Sequence, residues 1–465
     1  MDYDIVIIGG GPGGYTAAIR AAQLGARAAL IEKESLGGTC LNRGCIPTKT
    51  LYRNAEILNT LSKADDFGIF VDGLRFDIEK MQQRKEDVIN QLRGGIHNLL
   101  KANNVDIING AGSLKDKNTV EVIKAGGTLA ELTARNIIIA TGSKPSKPPI
   151  EGADLDGVYS SEDMLNFKKV PDKLLIIGGG VIGMEFAGIF RSLGSKVTVI
   201  EFMPGILMQV DKDITKRYSV LLKKQGIDVH TSTKVNKIEK NGESFIIHTE
   251  GKKGEAFFEA DQVLIAAGRS PLIEGLNIDK PGISCDKKGI SVDEDFMTNV
   301  EGIYAVGDVN GISMLAHAAS HQGIHAAEKI MGINKENSSP IPGCIFVFPE
   351  IASVGITEEQ AKENGLNYKT SKFLFGANGK ALALGETDGL VKVIASEDNV
   401  ILGVHIMGPH ASDLIQEGTL AVSMGLKIEE IGDIIHAHPT LSEAFHEAVL
   451  GINGLGIHIM PVGKR

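Results

Sequence analysis

The sequence predicts an α/β fold with two dinucleotide-binding units, and three observations carry that expectation. A glycine-punctuated segment at the end of an apolar run occurs twice, the copies align without a gap, and an acidic residue follows each at the same distance. Asp4-Ile-Val-Ile-Ile-Gly-Gly-Gly-Pro-Gly-Gly14 matches Lys173-Leu-Leu-Ile-Ile-Gly-Gly-Gly-Val-Ile-Gly183 at a constant offset of 169 residues. Ala18 then pairs with Ala187, Gly25 with Gly194 and Glu32 with Glu201. A single G-x-G-x-x-G is weak support, because plain glycine turns produce it. Two complete units with the acid in step point to two Rossmann-like units binding two dinucleotides.

Each motif position has its own reason. Gly9 and Gly178 make the tight turn after the strand. Gly11 and Gly180 let a pyrophosphate approach the backbone at the helix N-terminus, and Gly14 and Gly183 let helix and strand pack closely. Glu32 and Glu201 are expected to accept hydrogen bonds from a ribose hydroxyl. After Glu201 comes Phe202-Met-Pro-Gly, with no Arg to receive a 2′-phosphate, so the second unit favours NAD over NADP. The apolar stretch Leu174 to Phe190 is read as this strand and helix, since it carries Glu185 and five glycines.

Between the two units lies Gly37-Gly-Thr-Cys-Leu-Asn-Arg-Gly-Cys-Ile-Pro-Thr-Lys49. In an undistorted helix, Cys40 and Cys45 would have Cα atoms roughly 8.7 Å apart, beyond the span of a disulfide, so the segment must bend. Gly44 relaxes the backbone there, and Pro47 suits the first turn of a following helix. Cys45 then lies near a helix N-terminus, where a thiolate is favoured. A structural staple is the alternative, but closing so small a loop would add only about 2 kcal/mol. A redox pair beside the first unit calls for a relay between disulfide and nicotinamide, and a flavin serves.

Composition sets the remaining bounds. At 465 residues and 49.5 kDa, with 43% hydrophobic residues, the chain is long enough for two to four domains. Four cysteines are too few for a disulfide scaffold, and Cys285 and Cys344 are expected to be buried, reduced thiols. A net charge of −10 without a basic run argues against nucleic acid or anionic membrane as partner. No Cys/His spacing suggests a metal site. The N-terminus enters an apolar strand without a basic leader, which fits the cytoplasm or a mature mitochondrial matrix chain. Ile78, Met81, Val88, Leu92, Ile96 and Leu99 mark a long helix between Asp77 and Ala102 that packs through this stripe.

Taken together with Ala140-Thr-Gly142, Gly302-Ile-Tyr-Ala-Val-Gly-Asp308 and His436-Ala-His-Pro-Thr-Leu-Ser-Glu443, these motifs resemble the pyridine nucleotide-disulfide oxidoreductases over essentially the whole chain. The resemblance implies FAD on the first unit, NAD on the second and a C-terminal α+β dimerisation domain. It implies an FAD-binding domain over 1–147 and 268–338, an NAD-binding domain over 148–267 and an interface domain over 339–465. Thr141 and Gly142, with Gly268 in Ala266-Ala-Gly-Arg-Ser-Pro271, would mark the crossings between the first two. Asp308 would bond the flavin ribityl chain, Ala316 would contact the cofactor, and Lys49 would approach the flavin paired with Glu185.

The resemblance also distributes the chemistry. Cys40 would be the thiol that exchanges with substrate sulfur and Cys45 the one that exchanges electrons with the flavin. His438, oriented by Glu443, would take the proton, acting across a homodimer interface on the partner's disulfide. On local grounds Thr440-Leu-Ser-Glu443 reads equally as a helix capping box. His436, His446, His317, His321 and His325 are read as surface or core-packing residues. The implied reaction is oxidation of protein-bound dihydrolipoamide by NAD+, with two partner types: the lipoyl domains and E2-type core of 2-oxoacid dehydrogenase complexes, or a glycine-cleavage carrier protein. A glutathione-type reductase and a docking flavoprotein with an idle disulfide are the alternatives. Leu272, where the family commonly has Asn, and Lys380, where it often has Arg, are slight departures.

Overall fold

The repeat seen in the sequence is built twice in three dimensions. The computed structural model describes residues 1–124, 126–127, 129–336 and 339–460. Strand β1 (Tyr3–Ile8) runs into helix α1 (Pro12–Gln23), and β2 (Ala28–Glu32) follows. β1 pairs in parallel with β2 on one edge, Ile5 opposite Ala28, and with the strand Leu129–Ile139 on the other, Ile8 opposite Ile139. Asp106–Asn109 and Ile303–Ala305 extend this parallel core. Ile5, Val6 and Ile7 are fully buried, as a central strand covered on both faces requires.

The second copy repeats the plan. Lys173–Ile177 lies between Lys196–Ile200 and Gln262–Ile265, all parallel, with Ile227–His230 beyond Lys196–Ile200. The helix Val181–Ser192 follows its glycines. Later the chain builds a sheet of five antiparallel strands between Gly343 and Met407, in the order Gly343–Ile345, Ile351–Gly355, Ile401–Met407, Leu390–Ser396, Tyr368–Leu374. Helices Ala411–Ser423 and Glu443–Gly451 supply its apolar cover through Ile415, Ala444 and Phe445.

Two compact units result. One contains residues 1–148, 159–169 and 267–337, and the other 149–158, 170–266 and 338–465. In the first unit the crossing segments meet: Ser143–Pro145 and Arg269–Pro271 form a short antiparallel ribbon. In the second, the N-terminus of the helix Lys212–Lys224 is tied to the antiparallel sheet by Lys392. Its ammonium, buried, donates to both oxygens of the buried Asp211 at 2.9 Å and to Asp213 and Glu358 at 2.6 Å.

Three expectations are corrected. Helix α4 (Ile78–Ala102) forms as expected and is capped by Asp77, which accepts from the Lys80 N–H, but its buried residues are Lys85, Ile89 and Leu100. Leu92 and Leu99 face outward while Ile78, Met81, Val88 and Ile96 are half-buried, so the stripe read from the sequence overlaps the buried face without being its centre. Lys85 takes an inner position because its amine is satisfied by the Leu165 carbonyl at 3.0 Å and the Asn166 side chain at 2.7 Å. Cys285 is exposed rather than buried, since it sits in a two-residue strand with no cover, whereas Cys344 is half-buried.

The Lys392 cluster is expected to matter most near neutral pH. Burial alone would raise the Asp213 carboxyl, but hydrogen bonds from Lys372 and Lys392 bring it down to about 2, and those from Lys362 and Lys392 hold Glu358 at about 2. These depressed values make the contribution fully present above the ordinary carboxylate range and lost as pH falls toward 2. Lys392→Met strands the Asp211 charge and should cost about 3–5 kcal/mol in urea unfolding at pH 7. The deficit relative to wild type should shrink as the pH is lowered below about 4; a deficit independent of pH would contradict the ionic account.

Candidate active site

The two glycine turns are shaped to receive a diphosphate. Gly9 and Gly178 have φ of +108° and +117°, which L side chains rarely adopt. A methyl group on Gly14 would lie 1.8 Å from the Gly9 carbonyl oxygen, and one on Gly183 would lie 2.0 Å from that of Gly178. At Gly180 nothing stands within 4 Å, and at Gly11 the nearest atom is the Gly38 Cα at 3.8 Å. The first and third glycines are thus fixed by backbone contact, while the middle one leaves room for a ligand to approach. The residues present fit a dinucleotide in each unit.

The two acids repeat the same geometry. Glu32 accepts from the Gly10 N–H and the Glu34 N–H, both at 2.7 Å. Glu201 accepts from the Gly179 N–H and the Met203 N–H, both at 2.5 Å. Each carboxylate is oriented by one bond per oxygen, and each oxygen keeps a lone pair for a ribose hydroxyl.

The cysteine segment is a broken helix. Helix α2 (Gly38–Arg43) stops at Gly44, and α3 (Cys45–Leu61) begins at Cys45. A methyl on Gly44 would lie 3.0 Å from the Thr39 carbonyl oxygen. Gly38 rests on the first glycine turn, its added Cβ falling 2.7 Å from the Gly11 Cα, and the Gly37 N–H donates to the Gly10 carbonyl at 2.8 Å. The two thiols hydrogen-bond to each other, and that bond, reinforced by burial, pushes the Cys40 thiol well above its ordinary range while Lys49 pulls against it. Cys45 opens α3, a position at which the helix N-terminus favours a thiolate.

Around this segment lie contacts that sequence reading did not find. Asn42 donates to the Gly38 carbonyl at 2.8 Å and the Leu36 carbonyl at 3.1 Å, and accepts from Arg93 of α4 at 2.7 and 3.1 Å. Arg43 is paired with Glu34 and, at 3.7 Å, with Glu162, which lies 3.5 Å from Arg269. Arg269 donates to the Ser143 hydroxyl at 2.7 Å, and that hydroxyl donates to Asp308 at 2.5 Å. Only the Asn42 contact to Gly38 has a local signal, a polar side chain four residues after a helical carbonyl. Leu36 and Glu34 lie six and nine residues from their partners, and the rest lie far along the chain.

The remaining candidates fall into place on their own elements. Thr141 donates to the Leu272 carbonyl at 2.7 Å, and Gly142 and Gly268 have φ of +73° and +100° in the crossings. Ala316 opens the helix Ala316–Ile330, whose Gly323 packs on Gly13 of α1 so closely that a methyl would lie 2.2 Å from the Gly13 oxygen. Glu185 is buried and accepts from the Phe346 N–H at 3.0 Å.

In the C-terminal part, His438 Nδ1 lies 2.9 Å from Glu443, whose other oxygen accepts from the Thr440 N–H at 2.8 Å. Burial alone would raise the Glu443 carboxyl, but the Thr440 N–H and the His438 ring hold it below its ordinary value. Only half of the expected capping box forms. The helix starts at Glu443 itself, and the Thr440 hydroxyl turns back to the Ala437 carbonyl at 2.7 Å. Glu443 is therefore free to orient the imidazole, whose ring is exposed. His436 is buried against Glu417 and stacked on His446, and His325 is buried against Asp295, which are packing roles. Among the described residues no group of three or more His, Cys, Asp or Glu could hold a metal ion, and no helix is long and apolar enough to cross a membrane.

Comparison with known proteins joins these parts. Residues 3–323 match the family described as pyridine nucleotide-disulphide oxidoreductase, and residues 341–449 match the dimerisation domain of the same family. The chain is 44% identical to a dihydrolipoyl dehydrogenase of Bacillus subtilis, covering 98% of this chain and 99% of that one. It is 42% identical to the mitochondrial dihydrolipoyl dehydrogenase of Schizosaccharomyces pombe, covering 97% and 89%. Among solved structures, the HOCl-induced flavoprotein disulfide reductase RclA of Escherichia coli superposes with a TM-score of 0.86 at 31% identity, covering 96% of this chain and 99% of that one. LpdA of Mycobacterium tuberculosis superposes at 0.90 with 25% identity, covering 96% and 98%. Paired thiols across a broken helix, two dinucleotide turns and a matched C-terminal domain thus have one source: the chain belongs to the pyridine nucleotide-disulphide oxidoreductases.

Proposed function

We propose that this chain is a dihydrolipoyl dehydrogenase, which oxidises protein-bound dihydrolipoamide to lipoamide and reduces NAD+. The observation that carries the reading is the contact between the Cys40 and Cys45 thiols at a helix break beside the first dinucleotide turn. The substrate is supported by the shared name of relatives matched over nearly the full chain. FAD and NAD are the cofactors. We assign FAD to the unit containing Gly9, Gly11, Gly14 and Glu32, over 1–147 and 268–338. NAD goes to the unit containing Gly178, Gly180, Gly183 and Glu201, over 148–267. The homodimer is supported by the match to a dimerisation domain, and we assign 339–465 to its interface.

The chain's own residues perform the sulfur chemistry. A dihydrolipoamide thiol gives its proton to His438 of the partner subunit, and its sulfur attacks Cys40 of the disulfide, so the Cys40–Cys45 bond breaks and Cys45 leaves as thiolate. The second substrate thiol then gives its proton to the departing Cys40 as its sulfur attacks the first, and lipoamide leaves. Glu443 holds the imidazole with Nδ1 engaged, so that Nε2 is the nitrogen that accepts. FAD held at the turn of Gly9, Gly11 and Gly14 would supply a two-electron acceptor for Cys45, and NAD+ held at the turn of Gly178, Gly180 and Gly183 would supply the final acceptor. Lipoyl domains and an E2-type core, or a glycine-cleavage carrier, are the partners that bring the substrate, in the cytoplasm or in a mitochondrial matrix.

Purified protein mixed with dihydrolipoamide and NAD+ should form NADH rapidly, and should oxidise NADPH with glutathione disulfide only slowly if at all. The reverse preference would move the chain to the glutathione-type branch, and silence in both mixtures would favour a docking flavoprotein. Cys45→Ser should abolish NADH formation. His438→Gln should lower kcat by about 10²- to 10⁴-fold while leaving the fold intact. Mixing His438→Gln with Cys40→Ser subunits should restore part of the activity, because a mixed dimer keeps one complete shared site; no recovery in any mixture would sink the shared-site reading.

A further inference from the structure

Four residues separate the two cysteines, and two of them, Asn42 and Arg43, are held from outside the loop. The amide of Asn42 is satisfied on both sides. Its nitrogen donates to carbonyls of Leu36 and Gly38, and its oxygen accepts Nε of Arg93 at 3.1 Å and Nη2 at 2.7 Å. Arg93 comes from α4, 51 residues further on, and its remaining nitrogen, Nη1, is braced by Asn90 at 3.3 Å. Two N–H groups of one rigid guanidinium edge converge on the single Asn42 Oδ1, which holds that oxygen in place more firmly than one bond would.

We propose that Arg93, acting through Asn42, is a positioning residue that sets the dithiol–disulfide equilibrium of Cys40 and Cys45. The proposal rests on the reading that this pair is the redox couple. Oxidation makes one S–S bond and removes two electrons together with whatever protons the two sulfurs carry. Its equilibrium constant rises with the effective concentration of one sulfur at the other. Gly44 leaves the backbone between the cysteines free to open, and a loop that opens separates the sulfurs. The fork on Asn42 closes that freedom from the α2 side while the thiols are in contact. The reduced pair is thereby kept near the geometry of its disulfide, and the clamp favours the oxidised form. Arg93→Met leaves the Asn42 oxygen to water and releases the loop, which shifts the balance toward dithiol.

The test reads the thiols directly rather than turnover. Purified flavoprotein, wild type and variants, is equilibrated in buffers of reduced and oxidised dithiothreitol, quenched in acid and alkylated. The peptide containing Cys40 and Cys45 is then weighed by mass spectrometry. Arg93→Met should shift the equilibrium constant toward dithiol by about tenfold, about 30 mV for a two-electron couple. Arg93→Lys, which keeps the charge without the fork, should fall between it and wild type. Asn42→Ser removes the acceptor from the other end and should give a similar shift, so the proposal stays testable should Arg93→Met fail to fold. Constants within about twofold of wild type, or a shift toward disulfide, overturn the clamp. A wild-type pair that stays reduced at every buffer ratio overturns the redox reading itself, and the clamp with it.

Discussion

The site rests on a backbone contact that tolerates no side chain. At Gly14 the helix passes so close to the preceding strand that a methyl group would fall 1.8 Å from the Gly9 carbonyl oxygen, well inside any real contact. That approach sets where α1 begins, hence where its unpaired N–H groups converge. The same turn carries the cysteine segment: Gly38 stacks on Gly11, and Gly37 bonds to Gly10. The thiols and the dinucleotide turn are therefore one rigid object. The second unit repeats the turn at Gly178 and Gly183 without a cysteine segment, so the same geometry serves binding alone.

What the sequence discloses follows from how local each constraint is. A glycine turn is written in six consecutive residues, and an acid 23 positions after the first glycine marks the end of the next strand; both are visible without any knowledge of packing. The bend between Cys40 and Cys45 is equally local, because an undistorted helix cannot bring the two sulfurs together. The clamp on Asn42 is not local. Its partner lies 51 residues away on a helix whose polar residues look alike, and nothing in spacing separates Arg93 from a solvated cation. Helix α4 shows the same limit: its span was readable between Asp77 and Ala102, but the inward turn of Lys85 was not, since its carbonyl and amide partners are contributed by residues 165 and 166.

Charge is used in two different ways in the molecule. Lys392 and Asp211 are buried, Asp213 and Glu358 close the cluster toward solvent, and the four hold a helix N-terminus against a sheet. The chain from Arg43 through Glu162 to Arg269 is longer, more open and only loosely spaced, and its 3.5 and 3.7 Å steps carry little energy each. Such a chain contributes orientation rather than stability. Its tight end is the hydroxyl of Ser143 between Arg269 and Asp308, which fixes the direction of that hydroxyl's proton and leaves the second Asp308 oxygen for a ligand.

The asymmetry of the two thiols follows from these placements. Cys45 opens α3, where the backbone N–H groups favour a negative charge, while Cys40 lies within α2 and is hydrogen-bonded to its neighbour. A thiolate at Cys40 would form in a half-buried site and give up its hydrogen bond to Cys45, so the Cys40 thiol holds its proton. That division suits a couple whose sulfurs have different work. The sulfur that better holds a negative charge is the better leaving group when the disulfide is opened at the other. Gly44 makes the division possible. An unbroken helix would place Cys45 mid-helix, with its N–H already bonded, and would remove both the contact between the sulfurs and the field that distinguishes them.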